Sequence, residues 1–325
     1  MAQGIVNRVV PSSAFALGVV RAVVHGTFLI SVLVTSFSAL GSLPPTILRP
    51  TGVMKFLPWS FYDQLQTPSG MMTLKIAMVL SLLLSTAGLL TVVSTKTSLL
   101  LVVFYQGLLR SFGHFNHDEM LAVYCLAVLA FTPCGDAFSL DSRLATKAKE
   151  GTPEEGAKST KNSAGPFVRF TYAYPILLMQ LLMAWTYFSS ALIKLRVAGL
   201  KYLGPDNLPA LAIFHSLDNL HDTGFRFAFL LPQVKTYLPF AVALVLLWEL
   251  LFPVAIFWRR ARWWILGIGI LFHISTLFLM NIFFPHQLAM YLIFVDWDRV
   301  AGCHARSFKD WRGVDRRVRL KESCT

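Results

Sequence analysis

The chain carries repeated apolar runs of a length that a bilayer demands and a soluble core does not. Residues 17–40, 71–93, 118–138, 167–195, 235–258 and 263–284 each approach or exceed the ~20 residues that cross a hydrocarbon layer about 30 Å thick. Two shorter runs, 97–112 and 286–297, have the same character and fit tilted or half-buried helices. Lipid offers no partner to a backbone N–H or C=O, so runs of this kind close their hydrogen bonds internally as helices. The expected fold is therefore all-α: a polytopic transmembrane helical bundle of about eight spans. Composition points the same way, with 55% hydrophobic residues, 14% charged residues and a mean hydropathy of +0.58 over 325 residues. The first run is too long for a signal-peptide core and is followed by no convincing cleavage site, so it reads as a transmembrane helix.

The remaining segments divide by composition. Residues 1–297 read as one membrane domain and 298–325 as a basic tail. Residues 141–165, rich in Lys, Glu, Ser, Thr and Gly, read as a mobile charged linker. Residues 196–234 read as an ordered loop with an amphipathic piece, and the aromatic stretch 56–62 as a segment lying in the membrane interface. Cys125, Cys134, Cys303 and Cys324 form no Cys-x-x-Cys pair, which argues against a disulfide framework and against a zinc ribbon.

Charge orients the spans. One side collects Arg8, Lys96, the linker lysines, Arg259, Arg260, Arg262 and the tail; the other holds Arg49, Lys55, Arg110, Arg196, Lys201 and Arg226. The bias of Lys and Arg toward the first side places both termini in the cytoplasm of a multi-pass inner-membrane protein. The net charge of +12 is largely this bias. Its expected partner is anionic lipid, with no nucleic acid, even for the tail Arg312–Lys321.

With that orientation, ionisable residues from three helices converge on the outer half of the membrane. His117 lies at the head of the fourth run, Lys194 at the end of the fifth, and His273 about 16 Å from the end of the seventh. Intramembrane ionisable groups mark function by default. Lys194, flanked by Ile193 and Leu195, has two readings: an anchor snorkelling to headgroups, or an amine made neutral by desolvation for use as a base.

Asn116-His117 heading an apolar helix, Tyr187-Phe188 followed by a small pair and Lys194-Leu195, and His273 ahead of residues 277–285 occur in an order that resembles the vitamin K-dependent gamma-glutamyl carboxylase family. Bacterial relatives of that family share a horizontally transferred transmembrane (HTTM) domain. The resemblance covers about residues 15–297 and implies a lipid quinone, in its hydroquinone form, as cofactor. It implies that Lys194 is the base for oxygen chemistry on the reduced quinone, and that Asn116, His117 and His273 lie near the quinone and the reacting centre. His117, Tyr187 and His273 are then the residues expected to bind it, and no metal is needed. After Trp297 only about 28 residues follow, with no counterpart to the lumenal portion that holds the protein substrate in the animal carboxylase, so glutamate carboxylation is not expected.

Blander readings stand beside these. Asn116 and His117 can simply cap a helix whose first turn holds Asp118 and Glu119. Glu249 reads equally as a paired structural carboxyl and as a proton carrier. His114 and His117, three residues apart, could share a helical face as metal ligands, a spacing common by chance in a chain with 8 histidines. Two function classes follow: a quinone-linked oxidoreductase or carboxylase-like enzyme with Lys194 as base, or a non-catalytic membrane subunit that scaffolds a larger complex.

Overall fold

A computed structural model of the protein describes residues 13–113, 119–150 and 166–302, and all regular structure among them is helical. The principal helices are α1 (Ala14–Val34), α2 (Pro68–Ala87), α3 (Thr91–Ser111), α4 (Met120–Ala130), α5 (Leu140–Glu150), α6 (Pro166–Ala198), α7 (Asn207–Asp218), α8 (Leu238–Leu251), α9 (Arg259–Met280) and α10 (Pro285–Met290). Among the described residues six helices are long and apolar enough to cross a membrane: α1, α2, α3, α6, α8 with the 3-10 turns from Phe227 that lead into it, and α9.

Local chemistry sets their ends. Ser13 caps α1 through its hydroxyl, which accepts from the Ala16 N–H at 3.0 Å. Thr67 caps α2 in the same way, with Pro68 at the first helical position, where its missing N–H costs nothing. Gly88, in the left-handed region at φ +70°, ends α2. The run expected to continue to residue 40 breaks at Thr35, where the backbone is extended. The Lys75 ammonium reaches across from α2 to the carbonyls of Leu33 and Thr35, at 2.9 and 2.8 Å, and satisfies acceptors that the helix end leaves open.

Three sequence expectations change. The run 97–112, expected to be short, belongs to a full 21-residue helix, because Thr91 to Lys96 are helical despite their polarity. The run 118–138 does not form a long span and holds only the 11-residue α4, whereas 286–297, expected to be short, is α10 followed by a 3-10 turn over Tyr291–Phe294. The linker expected to be mobile from residue 141 begins as α5, docked onto the α2–α3 turn. The Asp141 carboxylate accepts from the N–H groups of Leu90 and Thr91, at 2.9 and 2.7 Å, and from the Thr91 hydroxyl at 2.7 Å. Residues 151–165 and the tail from 303 onward lie outside the described residues.

Desolvation opposes the charge on Asp141, but these three hydrogen bonds and the Arg21 charge outweigh it and hold its pKa below the ordinary value. A carboxylate with a depressed folded pKa stabilises the fold above its unfolded pKa and loses that contribution as pH falls through the folded value. Asp141→Asn is expected to lower the unfolding midpoint at pH 7, and the difference from wild type is expected to close as acid protonates Asp141. Paired melts at neutral and acidic pH check this.

Beside a small cluster of Ala191, Val242 and Leu246, the core is one large cluster. It runs from Ala16, Leu17 and Val20 on α1 through Met78 and Leu82 on α2, Leu126 and Leu129 on α4, and Met179 and Met183 on α6, to Phe252 and Phe294. Their counterparts on the bundle exterior are large apolar side chains left uncovered, including Leu83, Leu100, Trp185, Phe240, Trp264 and Leu271. In water such a surface would drive association; in lipid it is the expected outer face.

Candidate functional site: buried polar contacts between α6, α8 and α9

α6 and α8 pack antiparallel, so side chains spaced one turn apart on α6 meet successive turns of α8 in reverse order. Tyr187 lies against Trp248 and Phe252, with ring centroids 4.9 and 4.4 Å apart. One turn on, the Ser190 hydroxyl donates to Glu249 at 3.4 Å. One further turn on, Lys194 bends back toward the start of its own helix, the direction long helical side chains favour, and meets the same carboxylate. Its ammonium stands 2.5 Å from Glu249 Oε1 and 2.8 Å from Oε2. The Tyr202 ring covers the other side of the ammonium at 5.9 Å. Glu249 is 3% exposed at its side chain and Lys194 is 25% exposed. Lys194 is therefore neither extended toward headgroups nor isolated among apolar groups: it is one half of a two-pronged ion pair.

Tyr187 carries a second polar chain. Its hydroxyl lies 2.7 Å from His273 Nε2 on α9 and 2.9 Å from the Tyr291 hydroxyl in the 3-10 turn after α10. All three side chains are buried. His273 Nδ1 is buried and has no hydrogen-bond partner. Trp248, Phe252, Phe272 and Phe284 wall the chain, and the Trp248 indole N–H is tied to the Ile265 carbonyl at 2.8 Å. Gly269 makes the approach of Tyr291 possible, since a Cβ there would fall 2.2 Å from the Tyr291 hydroxyl.

The structure thus brings Lys194, Tyr187 and His273 to one helical seam. Tyr187 and Lys194 are seven residues, or about 10 Å, apart along α6. Asn116 and His117 lie outside the described residues, as does His114, the other half of the histidine pair. The helix that begins just after them starts at Met120, and Glu119 before it accepts from the Gln106 amide and stands 3.9 Å from His286 Nδ1. Among the described residues no group of three His, Cys, Asp or Glu side chains could hold a metal ion.

Sequence reasoning missed Glu249 as the partner of Lys194, and Tyr291 altogether. The signal for Glu249 was present, since a carboxylate in the middle of an apolar run needs a cation. Tyr291 gave none, being one aromatic residue in a run read as a span. Asn281 was also overlooked. In the left-handed conformation that ends α9, its side chain bonds Thr223, Phe225 and Ser216 and so fastens the 216–225 segment to the bundle. No protein-family model, no curated protein and no solved structure matches this chain.

Proposed function

We propose that this is a multi-pass membrane protein that takes a proton from a lipid-soluble hydroquinone at the seam between α6, α8 and α9. The observation that carries this reading is the Lys194–Glu249 ion pair, because two charges are not placed at membrane depth for stability alone. A paired ammonium is a poor base by itself. The pair as a unit is neutral, and it can accept one proton if a lysine proton first crosses the hydrogen bond to Glu249, whose N···O separation is 2.5 Å, and leaves a free amine. This revises the role that the resemblance gives to Lys194: the base is the pair.

The chain's donors suit such a cofactor. His273 Nδ1, buried and unmatched, is free to hydrogen-bond a hydroquinone oxygen, while Tyr187 and Tyr291 fix the ring from its other nitrogen. Trp248, Phe252 and Phe284 pack around Tyr187 and His273 and exclude water from them. A hydroquinone would supply the acidic hydroxyl and the reducing electrons; oxygen as the acceptor is what the carboxylase resemblance implies. Asp136 beside Tyr172 and Asp141 on the α2–α3 turn put the start of α6 on the side of that turn, so with that side in the cytoplasm the Lys194 end of α6 faces outward.

A second reading has its own observation. The tight aromatic packing around Tyr187, His273 and Tyr291 also suits a purely structural centre, as in a scaffolding subunit that associates with other membrane proteins. The test is Tyr187→Phe in purified, reconstituted protein, assayed for oxygen-dependent oxidation of a short-chain hydroquinone. The enzyme reading expects turnover to fall by about 10²-fold or more, the lower end for a lost proton-handling group. A scaffold shows no turnover in wild type.

A further inference from the structure

Helix α5 has a face that the proposed reaction does not use. Leu140, Arg143, Leu144 and Lys147 fall at i, i+3, i+4 and i+7, so apolar and basic side chains alternate along one stripe. Leu140 and Leu144 are 40% and 57% exposed, and Phe138, just before the helix, is 47% exposed. These residues line a groove of about 850 Å³ together with Leu89, Asp136 and Ala137. The acidic member of that lining, Asp136, already accepts from the Tyr172 hydroxyl at 2.6 Å. Neither Arg143 nor Lys147 has a carboxylate partner among the described residues.

The groove's position is fixed by the fold. Asp141 bolts α5 to the α2–α3 turn, and the Asp141 N–H donates to the Gly88 carbonyl at 3.0 Å. That turn joins two spans, so α5 lies at the level where helices leave the hydrocarbon. A short amphipathic helix with exposed leucines and paired cations at that depth is built to meet lipid, with the leucines among the upper methylenes and the cations at the phosphate plane.

We propose that this groove is a binding site for an anionic phospholipid. Its phosphate sits between Arg143 and Lys147, and the top of its acyl chains lies against Phe138, Leu140 and Leu144. The site is separate from the seam around Lys194, so either assignment can fail without the other. A zwitterionic lipid fits poorly because it brings its own cation to a doubly basic stripe.

The experiment is native mass spectrometry of the full chain in detergent, with phosphatidylglycerol or phosphatidylcholine titrated in. Each basic residue near a headgroup contributes roughly fivefold in affinity, so the first phosphatidylglycerol is expected to bind about 25-fold more tightly than the first phosphatidylcholine. Arg143→Gln with Lys147→Gln removes that preference; Lys147→Gln alone reduces it about fivefold. Both side chains are exposed, so helicity and the unfolding midpoint serve as controls that the fold is intact. Excess inorganic phosphate leaves the bound lipid in place. A double variant that keeps the wild-type preference overturns the proposal. So does displacement by inorganic phosphate, which would make this a plain anion site.

Discussion

Lys194→Met is expected to destabilise the protein by about 3–5 kcal/mol, the cost of leaving a buried charge without its partner. The orphan in that variant is Glu249, whose side chain is 3% exposed and keeps only a 3.4 Å contact from Ser190. The reciprocal change, Glu249→Leu, is expected to cost less, about 1–3 kcal/mol. Lys194 is 25% exposed on a flexible stem and can turn outward to the interface once released. The two losses do not add. Carrying both substitutions removes both charges and fills the space with apolar atoms, and the double variant should fall within about 1 kcal/mol of wild type. Denaturant unfolding of the four proteins in one detergent measures the cycle. Additive losses would mean that the contact seen at 2.5 Å does not govern the energetics of the seam.

Arg21→Met is the second large effect, expected at about 2–4 kcal/mol. Arg21 is fully buried on α1. Its guanidinium donates to the carbonyls of Cys134 at 2.9 Å, Phe138 at 2.7 Å and Thr86 at 3.4 Å. It thereby ties α1 to the end of α2 and to the segment between α4 and α5. Gly88 leaves room for it, since a Cβ there would lie 2.6 Å from Arg21 Nη1. Arg21→Lys should recover less than half of the loss, because a point ammonium cannot reach three carbonyls that a planar fork spans. Recovery to wild-type stability with Lys would show that charge alone, without the fork, is what the site requires.

The two arginine and lysine sites show how far the sequence could be read. Helical class and membrane character followed from apolar runs, because the bilayer imposes one length and one hydrogen-bonding solution on any spanning segment. Lys194 and His273 were identifiable as ionisable residues in such runs and Tyr187 only through the family resemblance, and the structure sets the three on one seam. The pairings were not legible. Whether Lys194 meets Glu249 or lipid depends on the antiparallel register of α6 against α8, which is set by packing of side chains such as Ala191, Val242 and Leu246 rather than by any local pattern. Arg21 sits in a run read as a plain span, and nothing near it in sequence announces three carbonyls from distant helix ends. The failure at residues 118–138 has a related cause. An apolar run measures what can be buried, and α4 and α10 bury theirs against protein, with Leu126, Leu129 and Met290 wholly enclosed.

We propose that the α6–α8–α9 seam handles a proton for a hydroquinone and that its ion pair is there for chemistry. The most direct measurement is hydroquinone oxidation by the Lys194→Met, Glu249→Leu double variant in reconstituted bilayers, beside wild type. The double variant is expected to be folded and near wild-type stability yet to turn over no hydroquinone, while wild type does. Turnover by the double variant at the wild-type rate would contradict it, as would a wild type that oxidises none.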